Sequence, residues 1–344
     1  MIEVKKSGVI LEKTKLGFEN DSVFNPGVIN SGNDIHLLYR AVRQGNFSSI
    51  GYCKLNNPEK VHERMTHPLI IPEHDYERHG IEDPRVVKID DTYFITYTAY
   101  DGYNALGALA TSKDLKTFTK HGIITPMFSY NDFDYCIECC KGLSEKYLRF
   151  YKIFKERSGI ESMEKLLVWD KDVIFFPKKI NGKFAFLHRI YPSIQIAYYD
   201  KIEELNEQYW RNYLFNLHEY IVIDSKHSFE ASYIGGGCPP IETADGWLLI
   251  YHGVEDTQTG YVYHAAAALL DLNDPTKEIA RLKYPLISPT EVWEKEGAVK
   301  NVVFPTGAVV KDDTLYIYYG AADTSIAVAS LKLSDLLTEL KNSK

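Results

Sequence analysis

The chain has 344 residues, a formal net charge of −8 and 25 tyrosines. Its length suits two ordinary domains or one large β-architecture, and its acidic balance, without a long basic run, excludes the usual footprint of a nucleic-acid binder. No run of ~18 apolar residues is present to span a bilayer, and residues 1–6 lack the apolar stretch of a secretory signal, so the expected setting is cytoplasmic, with no membrane partner.

In chain order, one pattern recurs five times. A proline-containing turn leads into apolar residues, then a polar or glycine turn, then a strand ending in Tyr or His plus a small or charged residue. The first copy is Phe24-Asn25-Pro26-Gly27-Val28 followed by a strand over 34–41. The second is Gly80-Ile81-Glu82-Asp83-Pro84-Arg85 with a strand over 91–97. The third is Phe176-Pro177-Lys178 with Leu187-His188-Arg189. The fourth is Gly237-Cys238-Pro239-Pro240 with Tyr251-His252-Gly253. The fifth is Phe304-Pro305-Thr306-Gly307 with Tyr318-Tyr319-Gly320. A third strand follows each copy, as in Ser49-Ile50-Gly51-Tyr52-Cys53 and Ser325-Ile326-Ala327-Val328-Ala329. A unit of roughly 60 residues with several short strands reads as one propeller blade. The expected fold is all-β: a single five-bladed β-propeller domain over residues 1–344. A large β-sandwich is the competing reading, disfavoured by the shared order of proline, turn and strand.

The gap between the second and third copies is longer than the others. Apolar residues recur there at helical spacing, notably over 144–155, which predicts a short helical insertion between blades 2 and 3, about 130–168. In repeat proteins such insertions map to one face, often the binding face. A second helical stretch is predicted from Asp200 to about Leu217, and a C-terminal helix over about 334–342. Cys136, Cys139 and Cys140 lie in the insertion. Zinc would need a fourth ligand and usually a second such pair, so five free thiols in a reducing compartment are expected, and no metal.

Chemistry concentrates at Glu82-Asp83-Pro84-Arg85. Proline pushes the preceding residue towards an extended conformation, which places Asp83 extended at the mouth of a strand. Alternation along a strand then separates the tasks of Glu82 and Asp83. If the five turns converge on one channel mouth, they gather Asn25, Arg40, Asp83, Arg85, Lys171, Lys178, Arg189, His252 and Asp323. Taken singly, Arg40 reads as a structural ion pair and His252 as a core histidine; convergence changes both readings. The set offers no carboxylate cluster or His pair for a metal and no nucleophile elbow. It suits a polyhydroxylated substrate beside an anion held by Arg, Lys and His.

These motifs, with Asn25-Pro26-Gly27, Leu37-Leu38-Tyr39-Arg40-Ala41 and Gly320-Ala321-Ala322-Asp323, span nearly the whole chain and resemble glycoside hydrolase family 130. The resemblance implies a five-bladed propeller enzyme acting on β-mannosides, most members being phosphorylases. It implies Asp83 as the single catalytic acid. It implies Asn25, Arg40, Arg85 and Asp323 as substrate-binding residues and Lys171, Arg189 and His252 as phosphate-binding residues. The implied partners are a mannose-containing oligosaccharide and inorganic phosphate as co-substrate, without a cofactor; association with further copies of the chain is left open. The chain departs from the pattern where family phosphorylases often carry Arg-Asn: here Lys171-Asp172 stands, and Asp172 would repel a dianion if it faced the site. Two other readings stay open. One is an inverting hydrolase, which needs a base carboxylate with Glu230, Glu242 and Asp172 as candidates. The other is a non-catalytic glycan-binding propeller. Retention of Arg189 and His252 favours the phosphorylase.

Overall fold

The computed structural model describes residues 2–32, 34–158 and 166–343, and the chain in it is mostly β. Strand β1 (Lys5–Leu11) comes first and is paired last. Five antiparallel units follow. The first pairs β2 (Ser22–Ser31), β3 (Asp34–Arg43), β4 (Phe47–Asn57) and β5 (Lys60–Arg64) in order. The second pairs β6 (Gly80–Ile89), β7 (Thr92–Tyr100), β8 (Ala105–Ser112) and β9 (Thr119–Ile123). The third pairs β10 (Asp170–Phe175), β11 (Phe184–Ile190), β12 (Ile194–Tyr199) and β13 (Ile221–Ile223). In the fourth, β14 (Tyr233–Gly236) and the short β15 (Ile241–Thr243) both pair with β16 (Gly246–Thr257), followed by β17 (Gly260–Leu270) and β18 (Glu278–Arg281). The fifth is β19 (Val303–Lys311), β20 (Thr314–Ala321) and β21 (Ser325–Lys332). Its outer strand is β1, where Lys5 pairs with Ser330.

Two helices, α1 (Tyr130–Cys139) and α2 (Glu145–Ser158), fall within the expected insertion, of which residues 159–165 lie outside the described residues. Ser129 caps α1 by accepting from the Asp132 N–H at 3.2 Å, an end signal that the run of aromatics conceals in the sequence. The buried face of α1 (Tyr130, Phe133, Cys136, Ile137) packs with Tyr147 and Tyr151 of α2 and with Trp210, Tyr213 and Leu214 of α3 (Glu207–Phe215). That aromatic cluster covers Phe175 and Phe186 of the third unit. Each such side chain contributes about 1.5–3 kcal/mol on full burial, which holds the insertion to the sheet. Cys136 and Cys140 are buried in the cluster, Cys139 is exposed, and all five cysteines are free thiols. The stretch 200–217 is a short 3₁₀ turn followed by α3. A single turn, α4 (Val292–Lys295), precedes the fifth unit, and the C-terminal helix is α5 (Leu333–Asn342).

In the first, second, third and fifth units the first strand breaks register opposite one residue of the second. Asn25-Pro26 stand opposite Tyr39, Asp83-Pro84 opposite Tyr97, and Asp172-Val173 opposite His188. Pro305-Thr306 stand opposite Tyr319, whereas in the fourth unit Gly236 pairs in register with Tyr251. Asn25, Asp83 and Asp172 have φ of 49°, 50° and 56°. Asp83 is therefore not extended as expected: the bulge sets its backbone and overrides the preference imposed by Pro84, and Asp and Asn tolerate the left-handed region better than bulkier residues. The third break carries no proline either. Pro177 lies beyond the end of β10, so the sequence alignment of that copy is displaced along the chain. The breaks pack backbone to backbone: a Cβ on Gly27 would lie 2.8 Å from the Pro84 carbonyl, and one on Gly307 2.8 Å from that of Pro26. Only glycine allows this approach.

In four of the units the residue at this place on the second strand reaches the same kind of buried group. Tyr39, Tyr97, Tyr251 and Tyr319 each donate to a fully buried glutamate: Glu19 (2.8 Å), Glu77 (2.6 Å), Glu230 and Glu294 (2.8 Å). Each glutamate also meets a cation: Arg64 at 2.8 Å, Lys120 at 2.7 Å, Arg281 at 3.2 Å and Lys6 at 2.6 Å respectively. In the third unit His188 replaces the tyrosine and bonds Asp170 at 2.7 Å and Tyr213 of α3 at 2.8 Å.

Candidate active site

The residues just after these clamped positions include Arg40, Arg189 and His252, so the clamps fix the strands from which the site is built. A cavity of ≈ 200 Å³ is lined from all five units. Asn25 and Arg40 come from the first, Asp83 from the second, and Lys171, Asp172, Arg189 and the adjoining Tyr191 from the third. Tyr233 and Tyr263 come from the fourth, and Phe304 and Asp323 from the fifth, with Val299 and Val302 just before β19.

Asp83 is held from both ends. Its Oδ1 accepts from Asn25 Nδ2 at 2.9 Å and lies 3.6 Å from Arg40 Nη1. Its main-chain carbonyl accepts from Arg85 Nη1 at 2.8 Å. Arg40 is itself fixed, donating to Glu82 at 2.6 Å and to Ser48 at 2.9 Å, with Phe24 beneath it. Arg85 is buried behind the cavity rather than lining it: Nε donates to the Gly237 carbonyl at 2.6 Å, tying the second unit to the fourth.

Arg189 is the centre of the cationic side. Nη1 lies 3.0 Å from Asp172 Oδ2 and 3.2 Å from His252 Nε2, and Nη2 donates to Tyr191 Oη at 3.0 Å. A guanidinium can only donate, so His252 accepts through Nε2 and is neutral. Its burial, reinforced by the charges of Arg189 and Arg85, holds its pKa well below the usual histidine value. His252 is fully buried against Phe304, with ring centroids 4.4 Å apart, and backs Arg189 instead of facing the cavity. Lys171 lines the cavity, 3.9 Å from Glu82 and above the Trp169 ring. The Asp172 carboxylate is compensated, lying between Arg189 and Arg85 at 3.0 and 3.9 Å.

Asp323 sits in a turn at φ 51°. Burial raises its pKa to about 6; Arg40 opposes the shift, and Asp83 and Glu82 add to it. Several buried polar atoms here have no hydrogen-bond partner among the described residues: Asn25 Oδ1, Arg189 Nε, Arg85 Nη2 and His252 Nδ1. Each such group carries about 1–3 kcal/mol of unmet hydrogen bonding; of these residues Asn25 and Arg189 line the cavity, where a polar ligand can meet them.

Two expectations need correction. Lys178 does not converge on the site. It pairs with Glu242 at 2.5 Å on the surface, because Pro177 is not the third register break. Neither Glu242 nor Glu230, which is spent in its clamp with Tyr251 and Arg281, lines the cavity. The aromatic lining was missed. Phe304, directly before Pro305, was legible from the repeat. Tyr233 and Tyr263, hydrogen-bonded to each other at 2.7 Å, carry no local signal beyond the tyrosine-rich composition.

The family model described as β-1,4-mannooligosaccharide phosphorylase matches residues 13–342. A 1,2-β-oligomannan phosphorylase of Thermoanaerobacter sp. (strain X514) is 36% identical, over 98% of this chain and 99% of its own. A β-1,2-mannobiose phosphorylase of the same organism is 36% identical, over 92% of this chain and 91% of its own. Among solved structures, the β-1,2-mannobiose phosphorylase from Listeria innocua, in complex with β-1,2-mannobiose, superposes with a TM-score of 0.72 at 25% identity, over 99% of this chain and 100% of that one.

Proposed function

The chain belongs to glycoside hydrolase family 130, and we propose that it cleaves β-mannosidic bonds by inverting phosphorolysis. An oxygen of inorganic phosphate attacks the anomeric carbon, the bond to the leaving sugar oxygen breaks, and Asp83 supplies the proton that oxygen takes up, relayed through the O3 hydroxyl of the mannose. The products are mannose 1-phosphate and a shortened saccharide. The observation that carries the reading is one cavity holding both a fixed carboxylate, Asp83, and a cation pair, Arg189 and Lys171. Phosphate brings its own nucleophile, so no second carboxylate is required, unlike the two-carboxylate scheme of most glycosidases.

In this reading Asn25, Arg40 and Asp323 hold the sugar and Arg85 fixes the Asp83 main chain. Arg189 and Lys171 bind phosphate, and His252 completes the anion pocket from behind Arg189. Compensation of Asp172 by Arg189 and Arg85 removes the objection raised by its charge. The five units serve as the blades of a five-bladed propeller around this cavity, a reading supported by the contribution of every unit to its lining. The names of the full-length relatives support β-1,2-linked mannosides as substrates.

The test is release from β-1,2- and β-1,4-mannobiose with phosphate varied. Expected are a phosphate-dependent rate, mannose 1-phosphate as product and preference for the β-1,2 linkage. A phosphate-independent rate with free mannose accumulating establishes the hydrolase instead. Asp83→Asn should keep the fold and lower turnover by ~10²–10⁴-fold, the usual contribution of a general acid. An unchanged rate removes Asp83 from the mechanism.

A further inference from the structure

The helical insertion takes no part in the reaction as described, yet it reaches the cavity wall. Three contacts from α2 converge on the turn between β11 and β12. Phe150 stacks on Tyr191, with ring centroids 5.3 Å apart and planes inclined by 15°. Tyr147, fully buried, accepts from Gln195 Nε2 at 3.0 Å. Gln195 in turn closes on the main chain of Ile190, accepting from its N–H at 2.7 Å and donating to its carbonyl at 2.9 Å. Lys146 pairs with Asp224, which also accepts from the Ser193 hydroxyl. Ile190 lies between Arg189 and Tyr191. Tyr191 accepts from Arg189 Nη2 at 3.0 Å, and its ring lies 4.3 Å from the guanidinium.

We propose that α2 is a positioning element for the anion-binding side of the site. Phe150 fixes the Tyr191 ring, Tyr147 fixes the main chain beside Arg189, and together they set where the guanidinium meets phosphate. The physical ground is the steep dependence of charge-assisted contacts on placement. Asp172 and His252 hold Nη1, whereas Nη2 is held by Tyr191, whose orientation depends on a residue of the insertion. The proposal rests on the phosphorolysis reading above.

The test is initial-rate kinetics with inorganic phosphate varied at saturating β-1,2-mannobiose, alongside thermal unfolding, for wild type, Phe150→Ala, Phe150→Tyr and Tyr147→Phe. Loss of the stack should raise the phosphate KM about three- to tenfold. The kcat and the mannobiose KM should stay within about twofold, the pattern of a lost binding interaction. Phe150→Tyr should restore the wild-type value. Tyr147→Phe should raise the phosphate KM about two- to fivefold; because it keeps the ring, it carries the test if Phe150→Ala fails to fold. Lowered melting temperatures with an unmoved phosphate KM in both variants overturn the positioning role alone. A wild-type rate independent of phosphate overturns the phosphorolysis reading, and this proposal with it.

Discussion

At the residue scale, Asp323 is a cavity carboxyl whose protonation is shifted chiefly by burial, with neighbouring carboxylates adding to the effect. The folded chain holds its proton more tightly than the unfolded one, since burial lifts the pKa from 3.8 to about 6. Protonation therefore stabilises the fold as pH falls from about 6 towards 4, and that contribution is lost as pH rises through about 6. Asp323→Asn mimics the protonated form, so its gain in melting temperature over wild type should be larger at pH 8 than at pH 5. Scanning calorimetry at the two pH values checks this; equal gains would contradict the raised acidity range. Asp83 and Arg189 were legible because each stands in a motif tied to a repeat. The conformation of Asp83 was not, because a bulge is a property of two strands and the local rule for residues before proline knows only one. His252 was legible as a site residue, but its position behind Arg189 depends on how two units meet.

At the element scale, four buried tyrosine–glutamate–cation groups brace the units. Lys6 meets Glu294 and no other carboxylate among the described residues, so removing that glutamate leaves the cation uncompensated, whereas Lys120 keeps Glu73 at 3.2 Å. Glu294→Ala should cost about 3–5 kcal/mol, the usual penalty for orphaning a buried partner, whereas Tyr319→Phe should cost about 1.5–3 kcal/mol for one hydrogen bond to a charged group. Urea unfolding measures both, and a cost for Glu294→Ala below that of Tyr319→Phe would show that the cation is not stranded. Strands were readable from alternation and turn residues, and α2, α3 and α5 from helical periodicity. The braces were not read, although the sequence holds a signal for them: an aromatic residue directly before each glutamate, as Phe18-Glu19, Tyr76-Glu77, Phe229-Glu230 and Trp293-Glu294. The third unit lacks this pair among its described residues and relies on α3 through Tyr213. The missing landmark and the displaced Pro177 together explain why its alignment slipped.

At the scale of the whole molecule, the site needs every unit at once, since no one unit supplies both the Asp83 and the Arg189 side. The fifth unit is the vulnerable one, because its outer strand comes from the other end of the chain. Deleting residues 2–11 removes no residue of the cavity but bares the edge of β21 and orphans Glu294 from Lys6. The truncated chain should melt well below wild type and lose activity with it, as paired thermal and kinetic measurements would show; full activity at an unchanged melting temperature would mean that β1 is dispensable. The same pairing sets a timetable on the ribosome. Lys5 emerges long before its partner Ser330. At the usual 5–20 residues per second, β1 waits on the order of tens of seconds as an unpaired strand. Its sequence suits that wait: Lys5 and Lys6 carry charge, and the backbone irregularities after Lys6 and Val9 twist it away from a flat edge, features that discourage adventitious pairing. The fifth sheet is thus completed only when β21 has joined β1, and the part of the cavity that this unit lines is secured no earlier.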